Sequence, residues 1–372
     1  MKNLAAIIFF SLLWIFPQPS PAESFLKEMS PPLTGLSITV KPEALLKQID
    51  AVLVYFQKYK NQDPKAIHAG LLSQMGITLA DIENTLRFLK ATISEDMTKG
   101  IESRLNDPLF LQKHFRFIKW RPQPQPPIDS PAYEKIRITK YAVFTIDGAL
   151  EKNDYFKYAL YGLPNDERGL TLQGAEKKRD SLSRFRYTRQ QVLNGVYEQG
   201  GAEPLVWVTR QGLEEALLEG TICVALEKGV TQYFNVDRAN DISYDPSKSP
   251  GDQARYWYFA RVQQPRGYGL DIHSQLPIYA GAALAGDVYN LGLGKVMGIL
   301  YNVPGSKRKK MILGILADTG GAFSPNLFQL DYYLGVLHSR NEFNRLIKTL
   351  PEFAEVFFIT PRRGEPVVEP LR

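Results

Sequence analysis

The chain has 372 residues, of which 44% are hydrophobic, 12% aromatic and 23% charged, proportions that exclude a disordered chain and a membrane bundle. Forty-five Lys and Arg against 39 Asp and Glu leave a net charge of +6, a mild surplus that argues poorly for a nucleic-acid partner and suits an anionic polymer. The single cysteine, Cys223, excludes an internal disulfide and a cysteine-rich zinc site, and the length suits about two domains.

Lys2 is the only charge before Glu23, Leu4 to Phe16 is apolar apart from Ser11, and small residues and prolines lead to Ala22. That order is expected of a secretory signal peptide over 1–22, and its apolar run is too short to span a bilayer. No cysteine near the expected cut offers a lipid anchor, so the chain is expected to be exported, soluble and periplasmic.

Residues 41–60 read as a helix, with Pro42 in the first turn and Leu45, Ile49, Val52, Leu53 and Phe56 on one face. A second helix is expected from Thr78 as N-cap, with Ile82, Leu86, Leu89 and Ile93 as its apolar face, and a third, shorter one over Leu109 to Phe115. Prolines 122, 124, 126, 127 and 131 make the next stretch an extended spacer. Beyond it the texture is mostly β. Tyr133–Phe144, Leu205–Val208, Lys295–Tyr301, Met311–Ala317 and Glu355–Thr360 read as strands, with a short helix near Asn341–Leu350. Ile222-Cys-Val-Ala reads as a buried strand, so Cys223 is expected to be packed and not nucleophilic. Lys307-Arg-Lys-Lys310 reads as a solvated hairpin loop between two strands.

The four histidines, His68, His114, His273 and His338, lack metal-ligand spacing, and neither a nucleophile elbow nor a phosphate-binding loop is present. No metal, cofactor or nucleotide is therefore expected, and carboxylate chemistry remains. Asp318 ends a strand and enters Thr319-Gly320-Gly321, read as a tight turn of permissive backbone. Asp331 lies 13 residues later among Phe328, Tyr332 and Tyr333, where partial desolvation would raise its pKa toward that of a general acid. From the residues alone, Asp318 could equally cap a turn and Asp331 be an ordinary strand residue. Asp-Thr-Gly also opens the loop of aspartic proteases, though that site needs two copies and this chain has one.

Leu284-Ala-Gly-Asp-Val-Tyr-Asn-Leu-Gly-Leu-Gly294, Asp318-Thr-Gly-Gly-Ala322 and Asp331-Tyr-Tyr-Leu-Gly335 together resemble the three-aspartate domain of the membrane-bound lytic murein transglycosylase A family. Upstream, Tyr187–Gly195, Leu205-Val-Trp-Val208, Glu219-Gly-Thr221, Gly229, Asn240 and Tyr244 are similar to that family's insert. The similarity spans about residues 37–362. Departures are visible: Phe144-Thr-Ile-Asp-Gly-Ala149 stands where the family has Phe-Thr-Gly-Tyr-Tyr-Glu-Pro, Thr221-Ile222 stands in the Gln-Gly-Ser-Gly turn, and Gln329 replaces an arginine.

The resemblance implies an α+β, β-rich fold. A double-psi β-barrel domain with a helical N-terminal segment would comprise 23–145 and 253–362, and a smaller β domain, 146–252, would be inserted. It implies cleavage of the β-1,4 bond between N-acetylmuramic acid and N-acetylglucosamine of peptidoglycan, leaving 1,6-anhydromuramoyl ends. Asp331 would be the catalytic acid and base and Asp318 its partner. Thr145, Glu219, Thr221, Thr319 and Gly320 would line the substrate groove, with Asp287 either among them or fixing the barrel turn at Gly294, glycan strands being the partner. A non-catalytic peptidoglycan-binding protein on the same scaffold and an aspartic protease around Asp318 are the alternatives.

Overall fold

The computed structural model describes residues 25–362 apart from positions 244, 304 and 307. The expected signal segment at 1–22, Tyr244 and Lys307 of the basic run lie outside the described residues.

Strands β1 (Leu26–Glu28) and β2 (Leu36–Thr39) precede helices α1 (Pro42–Tyr59), α2 (Leu79–Lys99) and α3 (Pro108–His114). Both long helices fall where the apolar periodicity puts them. Pro42 opens α1, and Leu45, Ile49, Val52 and Phe56 are buried. Helix α2 starts with a reciprocal capping box between Thr78 and Asp81, an arrangement that stabilises a helix start by about 1 kcal/mol, and ends at a left-handed Gly100. The third helix stops at His114. Phe115, expected to be helical, instead begins β3 (Phe115–Trp120), which pairs with β1 on one side and with the last strand on the other. Phe117, Ile118, Lys119 and Trp120 are all buried, so this strand lacks the two-residue alternation that reveals a half-exposed one.

Strands β4 (Ile136–Ala149), β5 (Tyr158–Pro164), β6 (Ala202–Val208), β7 (Thr221–Ala225), β8 (Thr231–Ala239) and β9 (Trp257–Val262) follow. Interspersed among them are α4 (Leu172–Lys177), α5 (Ser183–Arg186), α6 (Arg189–Leu193) and α7 (Arg210–Glu219). This corrects the expectation of a mostly β texture here: the helices are too short for a 3.6-residue period to emerge, and their signal is instead the threonine N-caps Thr171, Thr188 and Thr209. Last come β10 (Ala283–Ala285), α8 (Val288–Leu291), β11 (Val296–Asn302), β12 (Lys309–Asp318), β13 (Gln329–Leu337), α9 (Arg340–Ile347) and β14 (Phe353–Pro361). Of the basic run, Arg308 lies in the hairpin between β11 and β12, whereas Lys309 and Lys310, expected in the loop, open β12 and pair with β11.

The result is a mixed, β-rich fold. Along the sheet the order is β1-β3-β14-β11-β12-β10-β13-β4-β7-β8-β9, and β14 also pairs with β4. The pairings from β14 through β11, β12, β10 and β13 to β4 therefore return to β14 as a closed cycle. Helix α1 packs on β12 and α2 on β14. Buried apolar residues form two main clusters: one draws on Leu26–Ile138 and Tyr268–Ile359, the other on Ala142–Phe259 with Leu337. Strand β4 serves both. Its first half pairs with β13 and β14, and its second half pairs with β7 and β6.

Candidate active site

The site follows from strand register. Strand β10 is three residues long and sits between β12 and β13. Leu284 faces Leu316 on β12, but the next residue, Ala285, faces Asp318, because the register slips by one between them. A bulge re-aims side chains. Here it turns Asp318 to the face that an unbroken ladder would have given to Ala317. On its other side Ala285 faces Asp331. The two aspartates thus flank one alanine on the same face of the sheet.

That face continues across the neighbouring strands. Asp331 is opposite Thr139 of β4, and Tyr333 is opposite Tyr141 with ring centroids 5.0 Å apart. The Tyr141 hydroxyl donates to Asp318 Oδ2 at 2.8 Å, and the Thr319 amide donates to Asp318 Oδ1 at 2.8 Å. Further along β4, Thr145 is opposite Cys223 of β7, while Thr221 is opposite Asn235 of β8. The Thr221 hydroxyl meets Asn235 Oδ1 at 2.5 Å, and Asn235 Nδ2 donates to Gln275 Oε1 at 2.8 Å. At Gly335 (φ +115°) β13 bulges and comes so close to the chain that a Cβ would lie 2.9 Å from that of Ala280.

Burial pushes the Asp331 carboxyl up to about 6, with the Gln329 amide and the charges of Arg137 and Lys140 pulling the other way. Its Oδ1 is buried and has no hydrogen-bond partner among the described residues. Asp318 is pushed up to about 7, again by burial, with the Asp331 charge adding and the bonds from Tyr141 and Thr319 opposing. A third carboxyl, Glu219 at the end of α7, is raised to about 7 by burial, by Glu215 and by Asp331, against the pull of Arg340, whose Nη2 is 3.6 Å away. Asp318 and Glu219 both feel the Asp331 charge, and all three carboxyls are raised toward neutral pH, an arrangement suited to holding and passing a proton.

Of the aromatic neighbours the sequence suggested, only Tyr333 is buried on the face that carries Asp331. Tyr332 points to the opposite face of β13, where its hydroxyl donates to the Gly281 carbonyl at 3.2 Å, and Phe328 is 39% exposed. The Asp318 turn also differs from expectation. Gly320 has φ −161°, an extended conformation open to any residue, so the turn does not depend on glycine there. Thr319 is tied down by a bond from its hydroxyl to the Gly286 carbonyl at 2.9 Å.

Asp287 is not at the surface of any groove. It is fully buried and accepts from the Asn290 amide (3.1 Å), Asn290 Nδ2 (2.6 Å) and the Asn326 amide (2.9 Å). Of the two roles expected of it, substrate contact and fixing a turn, its burial and three donors fit the second. It caps α8 and ties that turn to the loop between β12 and β13. Thr145 and Glu219 are half-buried, Thr319 is half-buried, Gly320 is exposed and Thr221 is buried. Two cavities, of about 520 and 320 Å³, lie at His68 and Tyr289 and at Lys41 and Lys310, and neither is lined by Asp318 or Asp331. Among the described residues no group of three or more histidine, cysteine or acidic side chains could hold a metal ion. No described helix is long and apolar enough to cross a membrane.

The sequence reading missed Tyr141, Gln329 and Thr139 as parts of the site. The strand carrying Tyr141 was legible, but its 177-residue separation from Asp318 hid the contact.

No protein-family model and no curated protein matches the chain. Solved structures do. A membrane-bound lytic murein transglycosylase from Agrobacterium tumefaciens aligns with a TM-score of 0.60 at 16% identity, covering 91% of this chain and 98% of that one. The chain has the lytic murein transglycosylase fold. E. coli MltA with bound chitohexaose aligns at 0.58 and 13% identity over 92% and 96% of the two chains, and MltA from Neisseria gonorrhoeae at 0.58 and 14% over 94% and 97%.

Proposed function

We propose that this protein is a lytic transglycosylase that cleaves the β-1,4 bond between N-acetylmuramic acid and N-acetylglucosamine in peptidoglycan. The observation that carries the reading is Asp331: a carboxyl raised to about 6 by burial, with one buried oxygen unpartnered, beside Asp318 on one sheet face of this fold. Protonated Asp331 donates its proton to the glycosidic oxygen, and the bond from that oxygen to C1 of the muramoyl sugar breaks. The sugar's own 6-hydroxyl attacks C1, and the Asp331 carboxylate takes the hydroxyl proton, closing the 1,6-anhydro ring and restoring the acid. One acid suffices because the nucleophile is already part of the substrate, whereas a hydrolase needs a second carboxylate at a set distance. Asp318, fixed by Tyr141 and the Thr319 amide, orients the reacting groups.

The closed cycle of six paired strands supports a double-psi β-barrel over 23–145 and 253–362, and the second apolar cluster supports an inserted domain at 146–252. Glu219 and Thr221 belong to the insert's side of a groove for glycan strands, Thr145 to the junction, and Thr319 and Gly320 to the barrel's side. That a protein of this fold has been solved with bound chitohexaose supports a β-1,4-linked glycan as ligand. An N-terminal signal over 1–22 would deliver the enzyme to the periplasm.

Digestion of purified sacculi followed by mass spectrometry of the muropeptides tests the reading. Products 18 Da lighter than their hydrated forms are expected, the mass of one water. Reducing ends would make the protein a hydrolase, and binding without release would make it a wall-binding module.

A further inference from the structure

We infer that Arg255 binds a carboxylate of the peptide stem carried by the glycan strand, beside the reacting sugar. The inference rests on the proposed glycan substrate and adds what the strand must carry.

Arg255 lies just before β9, with its guanidinium 4.1 Å from the ring centre of Trp257. That ring is itself anchored, its Nε1 donating to the Leu217 carbonyl at 3.0 Å. The guanidinium therefore has a set position, and that position is the rim of the acid site. A Cβ built at Gly321, three residues after Asp318, would lie 3.7 Å from Nη2 and 3.8 Å from Nη1. The side chain thus runs from the region of the second apolar cluster to the turn that follows Asp318.

What marks it out is the lack of a counter-charge. Arg184, Arg238 and Arg261 each meet a carboxylate. Arg255 has no hydrogen bond and no ion pair among the described residues, although it is half-buried. Burial lowers its pKa with no anion opposing the shift, so neither Asp318 nor Asp331 serves as its partner. A guanidinium presents five N–H donors in a planar fork that matches a carboxylate, and leaving them unused in a half-buried place is unfavourable. In an intact strand the lactyl carboxyl of each muramoyl residue is taken up in the amide that joins the peptide, so the sugars themselves offer no free anion. The carboxylates of peptidoglycan belong to the peptides on its muramoyl residues, on the sugar whose 6-hydroxyl must attack.

The experiment compares Arg255→Met, which keeps a flexible apolar stem over Trp257, with the parent on two substrates: peptide-bearing glycan strands and the same strands with their peptide carboxylates converted to amides. The expected result is an approximately tenfold fall in kcat/KM on strands with free peptide carboxylates, carried by KM and equivalent to about 1.4 kcal/mol, with amidated strands cleaved by the variant within about twofold of the parent rate. An equal fall on both substrates, or none on either, overturns the inference. A binding arm keeps it separate from the proposed reaction. In Asp331→Asn protein, calorimetric titration with a soluble peptide-bearing tetrasaccharide, its peptide carboxylates free or amidated, should show a preference for the free-carboxylate form that Arg255→Met abolishes. If the parent yields no anhydro products the enzymatic reading fails, yet this arm still decides. Persistence of the preference in Arg255→Met, or its absence from the parent, refutes the inference.

Discussion

Asp287 and Asp331 are the same residue type in one motif set, one just after β10 and the other on β13, which pairs with β10, and the structure gives them opposite surroundings. Asp287 is fully buried with three donors on its oxygens, so its charge is compensated and its position fixed. Asp331 is half-buried and keeps a buried oxygen without a partner, so its charged form is disfavoured. Bonds to a carboxylate stabilise the form that burial penalises, so the three donors on Asp287 suit a brace and the unpartnered oxygen of Asp331 suits a proton carrier.

The comparison can be broken by exchanging its two halves. Asp331→Asn is expected to lower the rate of glycan cleavage by about a thousandfold or more, the scale of a lost general acid and base, when anhydro-muropeptide release is followed. Its melting temperature at pH 7 should hold or rise. The folded-state pKa is raised, so the group's contribution to stability is fully present below the ordinary carboxylate range and is lost as pH climbs through about 6. A melting temperature that drops sharply would move Asp331 into the brace class.

Asp287→Ala is expected to do the reverse. Three donors would lose their acceptor inside the protein, at a cost of about 2–4 kcal/mol in a denaturant titration, while cleavage per folded molecule stays near the parent value. Wild-type stability in that variant would contradict the bracing role drawn from its three bonds.

The smallest effect sharpens the picture of Asp331. The acid must be protonated to act, so activity should decline as pH rises through about 6. The Lys140 charge pulls that pKa down. Lys140→Met should therefore move the alkaline limb of the kcat/KM profile up by about half a pH unit. A limb that stays put, or moves down, would show that another group sets it.

The parts of the fold legible in the sequence were those held together locally. Helix α1 carried its proline start and apolar face within 18 residues, and α2 its capping box between Thr78 and Asp81. The Asp318 strand end and the Asp331 strand were recognisable for the same reason. Strand β3 was missed because burial on both faces erased the alternation that a sequence reader follows, and α4 to α7 because each is too short to show a period.

By itself the sequence determined which segments could be helix or strand, that carboxylates were the available chemistry, and which aspartates to watch. The tertiary structure decided which of those aspartates meet. A single slip of register between Leu284 and Ala285 turns Asp318 toward Asp331, and a hydroxyl from Tyr141 holds it there. Strand side chains alternate with a period of two, so a one-residue slip set by distant partners reverses the face a residue occupies. No local pattern in the chain records that choice.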